Sequence, residues 1–288
     1  MPELPEVETV RLQLLRKVVG KTIAAVEVFH PKSVDYSSTF DSQLMGNTIA
    51  HIDRVGKLLI FSFVGKDNLF VLAHLKMTGQ FFFVDKGKTI TGGGHSMTAA
   101  DTRELPGRHT RVAFTFTDDS HLYFNDMRLF GYTKIVDAAA VVVARNGFGP
   151  EPIDPAFDVD WFVTALRKKG AVVKAALLDQ SFIAGLGNIY VDEALWHAHV
   201  RPTRRANTLT KAEAVAIGKA AGDVMNEAIK VGGTTFQHFA DTDGDAGNYT
   251  KYLNVFGKQN TPCPRCGTEI KKIRCAGRGT HYCPHCQH

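Results

Sequence analysis

The first residues of the chain, Met1-Pro2-Glu3-Leu4-Pro5-Glu6, could carry covalent chemistry. Removal of Met1 would leave Pro2 as a secondary amine with a free lone pair, and such an amine is a nucleophile toward a sugar or carbonyl carbon. An α-amino group, with a reference pKa of about 7.7 to 8.0, is unprotonated far more often at neutral pH than a lysine with its value of about 10.4. Because Glu3 and Glu6 are three residues apart, a helix starting here would place both carboxylates on one side of the terminus, where they could transfer protons.

The same residues also fit a purely structural interpretation. Pro2 would then be a first-turn helix residue. Glu3, Glu6 and Glu8 would be acids that favour a helix N-terminus. The apolar positions that follow at helical spacing, before Gly20, are Val7, Val10, Leu14, Leu15 and Val18. They predict an amphipathic helix, and a helix of this kind is compatible with either interpretation of the terminus.

Four cysteines near the other end of the chain have the spacing of a metal site. They are Cys263, Cys266, Cys283 and Cys286. Two C-x-x-C pairs at this separation fit the zinc-ribbon pattern, in which four thiolates close a tetrahedron. A disulfide scaffold is the rival interpretation, but no cysteine precedes Cys263 and the chain has no secretion signal. We therefore predict one structural Zn²⁺. A substituted ligand stays open, because Cys275, His281, His285 and His288 lie nearby.

The positive charge of the chain is concentrated in the same region. Residues 251–288 hold seven of the 34 Lys and Arg residues, but Glu269 is their only acid among the chain's 29 Asp and Glu residues. Such a basic module predicts a surface that binds the phosphates of a nucleic acid. A solvated face that serves solubility is the alternative for any single lysine.

The pattern of the first half of the chain predicts antiparallel β-sheets packed as a sandwich. The strand-like runs are residues 22–30, 58–64, 69–74, 111–117 and 122–125. Turn signals such as Asp118-Asp119-Ser120 separate them. Residues 85–107, rich in Gly and Thr, predict a long mobile loop. No apolar stretch is long enough to cross a membrane.

The second half of the chain has a different pattern. Gly147-Phe148-Gly149-Pro150-Glu151-Pro152 is a linker by its composition. The segments that follow with helical periodicity are residues 158–169, 172–178, 189–197 and 211–231. Between the second and third of them, Gly185 and Gly187 permit a close backbone approach, and Asn188 is predicted to cap the next helix. The amides of a helix start can bind phosphate, although an ordinary N-cap is the simpler interpretation.

Three of these motifs, in order along the whole chain, resemble formamidopyrimidine-DNA glycosylase. They are Met1 to Glu8, Gly185 to Tyr190, and Gly277 to Gln287. The resemblance implies an α+β multidomain protein: an antiparallel β-sandwich with an N-terminal helix, a helix-two-turn-helix domain and a C-terminal zinc finger. We accordingly predict a catalytic domain at residues 2–135, a linker at 136–155, a helix-two-turn-helix DNA-binding domain at 156–250 and a zinc-finger module at 251–288.

The resemblance also implies roles for individual residues. Pro2 would attack the deoxyribose C1′ and form a Schiff base, and Glu3 would donate a proton to the opening sugar. Lys57 matches the family lysine of phosphate contact and β-elimination, and Arg278 matches the arginine linked to δ-elimination. Without the resemblance, Lys57 would be a strand-end lysine and Arg278 a generic phosphate contact.

Further residues match the family's DNA contacts. Met77, Arg128 and Phe130 match the side chains that fill the duplex when the damaged base is flipped out. From pattern alone, Met77 and Phe130 would instead be core residues of strands. The residues matched to backbone contacts are His74, His109, Lys174 and Asn188. Residues 244–252 match the loop that covers the flipped base. The chain departs from the basic residues of relatives at Leu129 and Gly170.

The implied function is a bifunctional DNA glycosylase and AP lyase of base excision repair. It would excise oxidised purines, namely 8-oxoguanine and formamidopyrimidines, from double-stranded DNA and cut the strand by β,δ-elimination. Two alternatives stay open: an endonuclease VIII-like glycosylase for oxidised pyrimidines, and a non-catalytic binder of damaged DNA. We expect a monomer in the bacterial cytoplasm, associated with the nucleoid and not with a membrane.

Overall fold

The structure, a computed structural model, describes residues 1–85, 88–92, 105–234 and 249–288. Within these ranges the chain forms two compact units. The first contains Met1–Asn146 and the described part of Val231–Asn248, and the second contains Gly147–Lys230 and Tyr249–His288. In the described part of the chain, no helix combines the length and the apolar character needed to cross a membrane.

The first unit is an antiparallel β-sandwich with an N-terminal helix, as predicted. Its helices are α1 (Leu4–Val18), α2 (Phe40–Leu44) and α3 (Ala138–Asn146), with a 3-10 turn at Pro31–Val34. Its strands are β1 (Ile23–Val28), β2 (Ile49–Val55), β3 (Leu58–Phe63), β4 (Lys66–His74), β5 (Gly79–Asp85), β6 (Lys88–Gly92), β7 (Thr110–Phe116), β8 (His121–Asp126) and β9 (Tyr132–Val136). One sheet has the order β1-β7-β8-β5-β6, and the other has the order β2-β3-β4-β9.

A single apolar core fills the space between the two sheets. The rings of Phe61 on β3 and Phe81 on β5 come from different sheets, and their centroids are 5.9 Å apart. Phe81 also contacts Phe124 on β8 at 5.1 Å. Helix α1 adds Val7 and Val10 to this core, which explains its apolar stripe. Burial of these side chains is the main force that fixes α1 on the sandwich.

The structure differs from the sequence prediction at several strands. The strands β2, β5 and β9 were not predicted, although all the predicted strands are present. The predicted loop at residues 85–107 is wrong at Lys88–Gly92, because this segment is strand β6 and pairs with β5. Residues 86–87 and 93–104 of that prediction lie outside the described residues.

The second unit contains the four predicted helices and the predicted zinc module. The helices are α4 (Val159–Arg167), α5 (Val173–Leu178), α6 (Asn188–His197) and α7 (Lys211–Lys230), with 3-10 turns at Ala206–Thr208 and Tyr249–Tyr252. The strands β10 (Lys271–Cys275) and β11 (Arg278–Tyr282) form a two-stranded hairpin. Helix α6 is buried along nearly its whole length. It therefore forms the centre of this unit.

The predicted domain boundaries at residues 135, 155 and 250 stay predictions, but the structure gives two observations next to them. Helix α3 lies inside the 136–155 segment that we predict to be a linker. The zinc module belongs to the same compact unit as the helical segment that precedes it. A small core that joins Trp196 of α6 to Val255, Ile270 and three of the cysteines explains this grouping.

Candidate active site and metal centre

The N-terminus is organised by the first turn of α1. The helix begins at Leu4, with Glu3 as its N-cap, so Pro2 precedes the helix and the interpretation of Pro2 as a first-turn residue is wrong. Glu3 and Glu6 form a reciprocal capping box, in which the backbone N–H of Glu3 donates to Oε2 of Glu6 at 2.8 Å. Pro2 and Glu3 are both buried. The structure thus brings the predicted nucleophile and its predicted proton donor together.

Glu6 is held by a second segment of the same unit. Its Oε1 accepts hydrogen bonds from the backbone N–H of Thr234 at 2.7 Å and from the Thr234 hydroxyl at 2.9 Å. A Cβ on Gly233 would lie 2.8 Å from the same oxygen, and Gly233 has a φ of +84°. Only glycine therefore allows this close approach. The contact fixes the carboxylate beside the N-terminus.

Lys57 lies in the tight turn between β2 and β3, where Gly56 has a φ of +55°. Arg54 donates to the carbonyl of Gly56 at 2.9 Å and to Oε2 of Glu8 at 2.8 Å, so it ties this turn to α1. Burial opposes ionisation of Glu8, but hydrogen bonds from Arg11 and Arg54 lower its pKa below the usual value. Glu8 therefore anchors the turn as a carboxylate.

His74 ends strand β4 directly opposite Leu58, the residue after Lys57. Its Nδ1 accepts a hydrogen bond from the backbone N–H of Lys76 at 2.9 Å. Burial, with smaller contributions from Lys76 and Lys57, lowers the pKa of His74 to about 3. His74 is consequently neutral at physiological pH, with its proton on Nε2, which makes this nitrogen a hydrogen-bond donor.

Met77, Arg128 and Phe130 lie on neighbouring loops, not in strands. Met77 is in the 75–78 loop between β4 and β5, and the other two are in the 127–131 loop between β8 and β9. Phe130 is 47% exposed, so its interpretation as a core residue is wrong. The Arg128 guanidinium lies 4.6 Å from the centroid of the Phe130 ring, which is a cation–π contact. His109 precedes β7, and its carbonyl accepts from the N–H of Asp126 at 2.9 Å.

Asn188 in the second unit is the first residue of α6, and the N-cap position belongs to Gly187. The prediction of Asn188 as the cap is therefore wrong. Its Nδ2 instead donates to the carbonyl of Gly279 at 2.9 Å, which joins the start of α6 to the β10–β11 hairpin. The contact brings Asn188 close to Arg278, the residue before Gly279.

Lys174 differs from our expectation of a DNA backbone contact, because its side chain is completely buried. Its Nζ lies 2.6 Å from Oδ1 of Asp192 and 3.5 Å from the carbonyl of Gly279. The other oxygen of Asp192 accepts from the backbone N–H of His281 at 2.8 Å. A buried charge requires such partners. Lys174 thus supports the hairpin and does not face solvent.

Arg278 begins β11 and is exposed. It follows a two-residue turn at Ala276 and Gly277, whose φ values are +52° and +71°, as in the turns that favour tight hairpins. Lys271, Lys272 and Arg274 are exposed on the partner strand. The hairpin therefore presents its predicted basic face to solvent.

The four predicted cysteine ligands converge. All four Sγ atoms lie within 4.8 Å of one another, with 3.9 Å between Cys263 and Cys286 and 3.5 Å between Cys266 and Cys283. A tetrahedral site with Zn–S bonds of about 2.3 Å needs S–S separations of about 3.8 Å. Cys275 is not part of this cluster, because its thiol is directed at the carbonyl of Pro202 at 3.7 Å. The donor set fits a structural Zn²⁺.

Among the residues of these sites that the sequence analysis missed are Asp126, Asp192 and Thr234. All three are buried. Asp126 accepts a hydrogen bond from the backbone of Phe130, and Asp192 accepts one from Lys174. Thr234 donates to Glu6. The one available signal for Asp126 was a carboxylate directly before the segment that carries Arg128 and Phe130. The partners of Thr234 and Asp192 lie far away in sequence, so no local pattern marks them.

Comparison with known proteins identifies the family. The family model described as the formamidopyrimidine-DNA glycosylase N-terminal domain matches residues 1–133, and that of the H2TH domain of the same enzyme matches residues 148–240. The chain belongs to the formamidopyrimidine-DNA glycosylase family. A third model, a zinc finger found in FPG and IleRS, matches residues 261–288. The family's zinc finger and the cysteine geometry agree, and the cluster is a structural zinc site.

Relatives and solved structures cover the chain from end to end. Formamidopyrimidine-DNA glycosylases of Enterococcus faecalis and Lactiplantibacillus plantarum are 41% and 42% identical to it, over 100% and 99% of the chain and 97% and 98% of their own lengths. The Lactococcus lactis Fpg, solved in complex with abasic-site DNA, aligns with a TM-score of 0.86 at 34% identity over 99% of both chains. MutM in complex with carbocyclic 8-oxo-G DNA aligns with a TM-score of 0.85 at 34% identity, covering 100% of both. The similarity to these family members therefore extends over essentially the whole chain.

Proposed function

We propose that the protein is a bifunctional DNA glycosylase and AP lyase of base excision repair that removes 8-oxoguanine and formamidopyrimidines from duplex DNA. The observation that carries the proposal is the buried Pro2 immediately before a helix capped by Glu3 and Glu6. Family members have been solved with abasic, Fapy-dG and 8-oxo-G DNA, which supports this substrate class.

Catalysis begins at the amine of Pro2 once Met1 has been removed. The nitrogen forms a bond to the deoxyribose C1′ as the bond from C1′ to the damaged base breaks, and Glu3 protonates the sugar oxygen as the ring opens. The resulting Schiff base makes the C2′ proton acidic, so that elimination can cut the strand. Lys57 contacts phosphate and assists β-elimination, and Arg278 assists δ-elimination.

The exposed loops of the sandwich fill the space that the flipped base leaves. Met77 and Phe130 offer apolar surface to the base pairs on either side of the vacated position. Arg128 offers hydrogen-bond donors to the opposite base, which has lost its partner. The contact of Arg128 with the Phe130 ring keeps these two side chains together. Such an arrangement suits a duplex substrate better than a single strand.

The proposed phosphate contacts are made by neutral and cationic hydrogen-bond donors, some in the first unit and some in the second. His74 offers its Nε2–H, and His109 directly precedes β7. Asn188 binds the carbonyl of Gly279, the residue after Arg278. Lys174 contributes indirectly, by holding the Gly279 carbonyl. Because its substrate is duplex DNA and its relatives are bacterial, we propose that the protein works at the nucleoid of the bacterial cytoplasm. That it is a monomer stays a prediction from the family resemblance.

Borohydride trapping on an oligonucleotide duplex with 8-oxoguanine opposite cytosine tests the proposal. A covalent protein–DNA adduct is expected, because borohydride reduces the Schiff base. The same duplex with thymine glycol should react more slowly; faster excision of thymine glycol would favour the endonuclease VIII-like alternative. Tight binding without any adduct would support a non-catalytic binder and overturn the proposal.

A further inference from the structure

One buried carboxylate in the sandwich has no assigned role in the reaction. Asp126 is the last residue of β8, immediately before the 127–131 loop, and its side chain is fully buried. A buried carboxylate is costly unless several donors satisfy it. The groups that donate hydrogen bonds to the Asp126 carboxylate therefore show which segments it positions.

Within the described part of the chain, the four donors to this carboxylate belong to the two loops that carry the predicted void-filling side chains. Oδ1 accepts from the hydroxyl of Thr78 and from the backbone N–H of Arg128 at 3.1 Å. Oδ2 accepts from the backbone N–H of Phe130 at 2.8 Å and of Gly131 at 2.6 Å. The carboxylate thus fixes the backbone of both Arg128 and Phe130.

Thr78 extends the same network to the other loop. It directly follows Met77, and its hydroxyl both donates to Asp126 and lies 3.1 Å from the backbone N–H of Arg128. Gly79 comes next, and its N–H donates to the carbonyl of Leu75 at 2.8 Å, which closes the 75–78 loop tightly. The position of Met77 is therefore tied to the same carboxylate.

The 127–131 loop also needs this support for its own conformation. Leu129, between Arg128 and Phe130, has a φ of +55°, which is unfavourable for a residue with a side chain. A Cβ on Gly131 would lie 2.9 Å from the Phe124 ring and 3.2 Å from Oδ2 of Asp126. The hydrogen bonds to Asp126 compensate for this strained and closely packed path.

We propose that Asp126 is a positioning residue that determines which base is accepted opposite the lesion. The inference rests on the proposed function. A guanidinium carries donors only. It can pair with the two adjacent acceptors of cytosine, O2 and N3, whereas adenine offers one acceptor beside a donor. That distinction depends on where Arg128 is placed, and Asp126 fixes the backbone from which Arg128 projects.

The test compares excision of 8-oxoguanine opposite cytosine and opposite adenine, as a ratio of kcat/KM values. Asp126→Asn replaces one acceptor oxygen by an amide, and Thr78→Val removes the hydroxyl at nearly constant shape. Each is expected to lower the cytosine-to-adenine ratio by about tenfold, the size of one lost buried hydrogen bond. Thr78→Ser keeps the hydroxyl and should retain the wild-type ratio.

Asp118→Asn is the matched control. Asp118 accepts hydrogen bonds from Ser120 in the turn before β8, at the opposite end of that strand from Asp126. Asp118→Asn should leave the cytosine-to-adenine ratio unchanged, because a general loss of protein stability lowers excision from both duplexes equally. Ratios for Asp126→Asn and Thr78→Val equal to that of Asp118→Asn would overturn the inference. If the ratios are equal but the wild-type protein still forms the borohydride-trapped adduct, the proposed function stands and only the role of Asp126 is refuted. If the wild-type protein forms no adduct, both the proposed function and this inference are refuted.

Discussion

The sandwich and the zinc finger hold their predicted functional side chains by different means. In the sandwich, a continuous core between two sheets supports the turns that carry Lys57 and Arg128. In the zinc finger, the core is small and includes three of the cysteines, so the metal must replace the missing apolar burial. A cationic side chain on a loop or hairpin can therefore be held in place either by burial of apolar side chains beneath it or by coordination of a metal ion.

The two regions nevertheless share one device. A buried aspartate accepts backbone hydrogen bonds from the segment that carries the functional residue: Asp126 holds the 127–131 loop, and Asp192 holds the hairpin at His281. Asp192 additionally pairs with Lys174, whereas Asp126 is satisfied by neutral donors. The charge of the second site therefore makes it the more sensitive of the two to single substitutions.

Pro2→Gly has the largest expected effect and tests the sandwich alone. The excision rate should fall by about a thousandfold or more, the order of magnitude that follows removal of a nucleophile. Single-turnover kinetics and borohydride trapping measure it, and duplex binding should be retained. Pro5→Ala, inside α1, is the control and should still form the adduct. Undiminished trapping in Pro2→Gly would assign the Schiff base to another amine.

Cys263→Ser separates the two means of support. Loss of one thiolate should release the zinc and weaken duplex binding by about tenfold or more, while residues 1–130 stay folded. Zinc content, a binding titration and near-ultraviolet circular dichroism measure these effects. Cys275→Ser changes a cysteine outside the cluster and should keep one zinc per chain. Unchanged affinity in zinc-free protein would contradict the role we give to the hairpin.

Lys174→Met tests the buried ion pair of the second unit. Leaving Asp192 without its partner should cost about 3 to 5 kcal/mol in the free energy of unfolding, as for other broken buried pairs. Urea denaturation measures the loss, and the double variant with Asp192→Asn should recover part of it. Lys169→Met removes a more exposed pair with Asp179 and should cost about 1 kcal/mol or less. Equal losses in the two single variants would contradict the distinction.

The last prediction concerns His74, whose protonation does not affect stability at neutral pH and acts only as the pH falls. Its pKa is lowered to about 3 in the folded protein, so the unfolded chain binds the extra proton first as the pH falls below about 6.5. Stability should therefore decrease between pH 6.5 and 3, by up to about 1.4 kcal/mol per pH unit from this group. His74→Gln should flatten the profile, and His51→Gln, exposed on β2, should not. A profile unchanged by His74→Gln would refute the burial argument.

The sequence was sufficient where a pattern is local. The cysteine spacing predicted the ligand set because metal coordination fixes ligand type and separation, and helical periodicity predicted α4 to α7. Strand β5 was missed because its Phe81, Phe82 and Phe83 are all buried, so the alternation that marks a half-exposed strand is absent. The burial of Lys174 was missed because it depends on Asp192, one helix further along the chain.

The contact between Glu6 and Thr234 joins positions 228 residues apart. A ribosome releases the N-terminus of a chain long before residue 234 has been synthesised. The carboxylate next to the predicted nucleophile therefore acquires these two hydrogen bonds only after the helical segment has been made. Completion of the reactive end thus awaits synthesis of most of the polypeptide, and a fragment that stops at residue 146 would lack this contact.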